Sequence, residues 1–153
     1  MYAFIDRRVD GLCDGGRFFV WAMRGWRQSL QKGVCPPRAL SRGFAGVGGG
    51  AALPDFHIAM ALLNRDAREE IVIGAMDCPH IVEGEAVLLG IWRDLALGDT
   101  GNARETLKLL ASEDAAPPIA RAMTTAAAKM IAAGFDLSEL STHVSEEVKP
   151  SDE

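Results

Sequence analysis

Glycine and proline cut this chain into segments of helical length, and that punctuation decides what it can fold into. Gly33 with Cys35-Pro36-Pro37, the Gly48-Gly49-Gly50 triplet before Pro54, Gly98 with Gly101, Ala115-Ala116-Pro117-Pro118 and Gly134 separate stretches whose apolar residues recur at helical spacing. In Arg17 to Lys32, Phe19, Met23, Trp26 and Leu30 fall on one helix face, and Gly33 closes the helix as a C′ glycine does. Residues 37–47 form a second helix, opened by a proline where the missing N–H costs nothing. Pro54 starts a third, with Phe56, Met60 and Leu63 as its apolar stripe. Glu83 and Glu85 suit the positive end of a fourth helix, which carries Leu88, Leu89, Ile91, Trp92 and Leu95. A fifth runs from Arg104 to Ala111. A sixth runs from Pro118 to Ala133, rich in alanines that permit close helix packing. Ile71-Val72-Ile73 reads as either a brief strand or an extended connector. The expected fold is all-α: an irregular bundle of five or six helices around Trp92, with at most one very short extended segment near 71–73.

Residues 1–16 lack sustained periodicity and read as an N-terminal arm, 17–137 as a single helical domain, and 138–153 as an acidic tail expected to be disordered. No apolar run approaches the roughly 20 residues that cross a bilayer, so no membrane contact is expected. The start of the chain lacks a secretory pattern, and a cytoplasmic location is expected. Three cysteines, Cys13, Cys35 and Cys78, are an odd number and are expected reduced.

Charge is distributed unevenly. Residues 1–50 carry eight Lys or Arg against three Asp, a net +5, while the remainder carries eight against eighteen, a net −10. Such asymmetry points to an anionic partner or to pairing between the two halves. The acidic remainder opposes nucleic acid, which is the weaker alternative as a partner.

The first helix contains an anomaly. At 100° per residue, Arg17, Arg24, Arg27, Gln28 and Gln31 lie opposite the apolar stripe, and Trp21 falls among them. Two readings account for an aromatic on a polar face: the arm, with Tyr2, Phe4 and Ile5, folds over Trp21, or Arg17, Trp21, Arg24, Arg27 and Gln28 form a partner surface, since Trp and Arg dominate binding hot spots. Elsewhere, Cys78 and His80 offer the thiolate and imidazole that zinc prefers, with Cys35 and either Cys13 or His57 able to complete a tetrahedral set, but neither CxxC nor HxxxH spacing is present. The same Cys78 beside Asp77 is the candidate for a thiol nucleophile, although it is expected to be structural. Glu83 and Glu85, about 200° apart on a helix, are better explained as first-turn charge than as a shared site. The glycine-rich stretch 43–50 lacks the Gly-Lys-Ser/Thr ending of a phosphate loop. The expected function is therefore a non-enzymatic interaction or regulatory module, binding a protein partner or a second copy through the first helix, with no catalytic residue and no cofactor. The alternative is a small metal- or thiol-dependent protein centred on Cys78 and His80.

Overall fold

The computed structural model describes residues 7–135. Among them are six helices: α1 Asp14–Gln31, α2 Pro36–Gly46, α3 Leu53–Asp66, α4 Glu83–Ala96, α5 Thr100–Leu110 and α6 Ala116–Ala132. The fold is the irregular all-helical bundle that the punctuation implies. Strands are absent among the described residues, and 70–75, which contains Ile71 to Ile73, is a connector without a turn or bend. Gly33 and Gly134, with φ of 72° and 105°, sit in the left-handed region that a C′ residue needs and only glycine adopts freely. None of these helices is long and apolar enough to cross a membrane. The tail 138–153 lies outside the described residues.

The core is organised by aromatic rings. Trp92 on α4 is fully buried, with Phe19 of α1 at 4.4 Å and Phe56 of α3 stacked at 6.0 Å between centroids. The chain of rings continues from Phe56 to Phe44 of α2, then to Phe18, Trp21 and Phe135. Burying a tryptophan removes roughly 150–250 Å² from water, about 4–6 kcal/mol at the usual coefficient. That outweighs the cost, about 1–3 kcal/mol, of its indole N–H, which has no acceptor among the described residues. α3 and α6 form the most extensive helix pair, and α6 buries Ala116, Ala120, Ala122, Ala126 and Ala127, small side chains that permit close packing.

Three local expectations are corrected. First, α1 starts at Asp14 rather than Arg17, because Gly15 and Gly16 are buried within its first turn; tertiary packing overrides their poor helix propensity. Second, Leu30 is 42% exposed, while Ser29 is buried and donates to the carbonyl of Gly25 at 2.8 Å. The cause is α2, whose Leu40 Cδ2 lies 2.8 Å from where a Cβ on Gly25 would be, so the second helix packs on the Gly25–Ser29 side. Third, α5 begins at Thr100, not Arg104: Asp99 accepts the N–H of Asn102 at 3.1 Å as an N-cap, and Gly101 lies inside the helix.

Near the end of α1, Trp26 donates its indole N–H to Nδ1 of His57 on α3 at 3.0 Å. Nδ1 must be unprotonated to accept, and burial lowers the His57 pKa from its ordinary value of 6.5. The folded chain thus keeps His57 neutral where the unfolded chain has begun to bind a proton. This contribution to stability is complete above about pH 6.5 and is lost as the pH falls below it. The melting temperature is expected to drop between about pH 7 and pH 5, and to drop less in His57→Gln, which keeps an acceptor but cannot titrate. Equal drops in both proteins would show that His57 does not carry the effect.

Candidate functional site

Sixteen residues join α3 to α4, and their course is dictated by one ion pair. Arg24 of α1 is 3% exposed and Glu85 of α4 is 0% exposed. Arg24 donates through Nε to Glu85 Oε2 at 2.6 Å and through Nη2 to Oε1 at 2.9 Å, the bidentate arrangement that a planar guanidinium favours. Both groups make their further hydrogen bonds to the connector. Arg24 also donates to the carbonyls of Cys78 at 2.7 Å and His80 at 2.9 Å, and Glu85 accepts from the N–H groups of Gly74 at 2.9 Å and Val82 at 3.1 Å. The hydrogen bond to Glu85 raises the Arg24 pKa further, against the opposing effect of burial, so the side chain remains a cation. Glu85 is the third residue of α4, from which it reaches back to the N–H of the cap residue, Val82; valine has no side-chain acceptor to complete the reciprocal half.

Residues 79–81 are pinned further by the chain before α1. Val9 donates to the carbonyl of Pro79 at 2.9 Å, and Ile81 donates to that of Arg7 at 2.8 Å. At the other end, Arg68 donates through its main-chain N–H to Leu110 at 2.8 Å and through Nε to the carbonyl of Lys108 at 3.0 Å. Between these anchors, residues 69–73 form a strap with a cleft on each side. One cleft, about 260 Å³, opens toward α1 and α3 and is lined by Trp26, Leu63, Ile71 and Ile73, with Arg27 and Asn64 also on its wall. The other, about 390 Å³, opens toward α4 and α5 between Val72, Val87, Leu109 and Glu83. Gly84 lets the strap approach α4: a Cβ there would lie 2.1 Å from the main-chain oxygen of Val72.

The five residues of α1 expected to form a partner surface are dispersed. Arg17 is exposed and pairs with Asp14 in its own helix, and Gln28 is exposed. Trp21 is half-buried against Phe18 and α2, where a Cβ on Gly43 would come within 2.1 Å of its Cη2. Tyr2, Phe4 and Ile5 lie outside the described residues, so the cover seen on Trp21 belongs to α2. Arg27 donates to Asn64 Oδ1 at 3.2 Å and pairs with Glu70 of the strap. Arg24 is the correction that matters. It points off the apolar stripe, as its periodicity requires, but the connector lies across that face and buries it, so it cannot serve a partner surface.

The four metal candidates are likewise not assembled. Cys35 is exposed ahead of α2, His57 is bonded to Trp26, and His80 is exposed; Cys78 donates its thiol to the carbonyl of His80 at 3.3 Å rather than meeting the imidazole. Among the described residues, no group of three or more His, Cys, Asp or Glu side chains is placed to hold a metal ion. The site that does exist, a strap anchored by a buried ion pair on a helical bundle, rests on Glu85, Gly74 and Gly84. The sequence offered no signal for the Glu85 role beyond its position in a first helical turn.

The class defined by fold and site is thus a helical bundle carrying an anchored strap. No family, curated protein or solved structure matches the chain.

Glu85→Gln is expected to destabilise the fold by about 3–5 kcal/mol, because it leaves the Arg24 charge buried without its counter-ion. Gly84→Ala is expected to lower stability by about 1–3 kcal/mol even though alanine is the better helix former, since its methyl group meets main chain that cannot swing away. Denaturant titration of both variants checks this. A neutral or stabilising Gly84→Ala would mean that strap and α4 are not in contact in solution.

Proposed function

We propose that this chain is a non-enzymatic interaction module that receives a protein partner on the strap face. The observation that carries the reading is the exposure of Val72 at 60% and Leu109 at 70%, two large aliphatic side chains lining one cleft beside a strap. Single exposed apolar residues are ordinary, but apolar side chains gathered along a groove with a polar rim are the usual form of a docking surface. At the neighbouring cleft Arg27 pairs with Glu70 and donates to the amide oxygen of Asn64, so that cleft presents hydrogen-bonding groups at its wall and apolar side chains within. The first helix offers less for this purpose: burial of Arg24 removes the centre of its basic face, and Trp21 is half covered by α2.

The combined variant Val72→Asp/Leu109→Asp tests the reading. Both side chains are exposed, so stability is expected to change by less than about 0.5 kcal/mol per site, as for ordinary surface substitutions. Affinity capture from the cells of origin is expected to recover a defined set of proteins with the unaltered chain, to lose that set with the double variant, and to keep it with Gln28→Asp. A set that survives the double substitution, or no specific set at all, would overturn the proposal.

A further inference from the structure

We propose that a cleft between α5 and α6 binds a small molecule carrying a phosphate monoester, with Arg104 and Arg121 holding the phosphate. This cleft shares no lining residue with the two beside the strap, so the site stands apart from the docking face. Most arginines of the described chain are engaged: Arg8, Arg17, Arg24, Arg27 and Arg65 pair with carboxylates, and Arg68 donates to a carbonyl. Arg104 on α5 and Arg121 on α6 are exposed, and neither has a hydrogen-bond or ion-pair partner among the described residues. Both line one cleft of about 250 Å³.

The sign of the ligand's charge follows from the lining. No carboxylate lines this cleft among the described residues, whereas the clefts beside the strap set Glu69 and Glu70 against Arg68, and a smaller one sets Asp94 beside Arg93. The acid-free lining falls within residues 51–153, where eighteen acidic residues outnumber eight basic ones, so it is not the overflow of a basic region. At about 0.1 M salt, charges more than roughly 10 Å away are largely screened, and the lining itself decides what binds. Two like charges in one cleft repel each other, and an anion between them replaces that repulsion with attraction.

The donors select among anions. Thr100 and Arg104 are one turn apart on α5, so their side chains share a face, and the Thr100 hydroxyl has no partner among the described residues. Thr124 and Thr125 donate their hydroxyl protons within α6, to the carbonyls of Ala120 at 2.7 Å and Arg121 at 3.0 Å. What the cleft offers a ligand is therefore two guanidinium forks and one hydroxyl. A fork matches a pair of oxygens on a phosphate or a carboxylate. A phosphate monoester, with three acceptor oxygens and a charge of about −1.5 to −2 at pH 7, answers both forks and both charges, while a carboxylate brings two oxygens and a single charge. Leu95 of α4 and Ala120, both buried, add apolar lining for the body of the molecule, in a volume close to the lower end, roughly 300 Å³, of small-molecule sites.

The test titrates the full chain with phenyl phosphate, inorganic phosphate and benzoate, and follows amide resonances by nuclear magnetic resonance. Phenyl phosphate is expected to bind once per chain and to shift the amides of Thr100, Arg104 and Arg121. Inorganic phosphate, which lacks the apolar body, and benzoate, which lacks the second charge, are each expected to bind about tenfold more weakly. Arg104→Gln and Arg121→Gln are each expected to weaken phenyl phosphate about tenfold. Both side chains are exposed, so the melting temperature should stay that of the unaltered chain. Arg38→Gln, which removes an exposed arginine from α2, should leave binding unchanged. The proposal is overturned if phenyl phosphate does not bind, if binding survives both substitutions in the cleft, or if Arg38→Gln weakens it equally, which would mark a general attraction to a basic surface. Benzoate binding as tightly as phenyl phosphate would overturn the selection of phosphate, and inorganic phosphate binding as tightly would overturn the small-molecule body.

Discussion

Everything distinctive about this bundle depends on a buried arginine and glutamate finding enough partners. Removing two charges from water costs several kcal/mol per ion, and mutual attraction alone does not reliably offset it. Here the fork of Arg24 meets Glu85 with two hydrogen bonds, and four further bonds tie the pair to the main chain of residues 74, 78, 80 and 82. The pair is therefore better understood as a device of specification than of net stability. An apolar replacement of both side chains would fill the space and still orphan four main-chain groups. The ion pair sets the path of the connector, and the aromatic core around Trp92 supplies the free energy that makes the arrangement affordable.

The strap is the consequence. A connector pinned at Arg68 and again at Gly74 and Val82 has no freedom to fold away, yet its middle residues make no main-chain hydrogen bond among the described residues. Gly84 brings it against α4, and a cleft opens on each side of it. Anchored ends and a middle without main-chain hydrogen bonds among the described residues set this connector apart from an ordinary turn.

The contrast between what was and was not legible in the sequence follows the range of the interactions. Periodicity and helix-stop residues act over a few positions, so the six helices, the closures at Gly33 and Gly134 and the central place of Trp92 could be read directly. Where a neighbour decides, reading failed. The helical wheel placed Arg24 off the apolar stripe correctly, but only the connector, 50 and more residues away, makes that direction a buried one. Glu85 looked like a first-turn helix charge because it is one; its second role needs an arginine from another helix. Leu30 followed the stripe and Ser29 did not, until α2 settled on Gly25. The strap itself was visible only as three β-branched residues without a pairing partner, and the lack of a partner turned out to be its defining property.

Native-state hydrogen exchange tests this account most directly. If the Arg24–Glu85 pair anchors the strap, the amides of Gly74 and Val82 should exchange as slowly as those in the middle of α4, opening only with the whole molecule, while the amides of residues 69–73 exchange orders of magnitude faster. Gly74 and Val82 exchanging as fast as residues 69–73, or residues 69–73 protected in the isolated monomer, would contradict it.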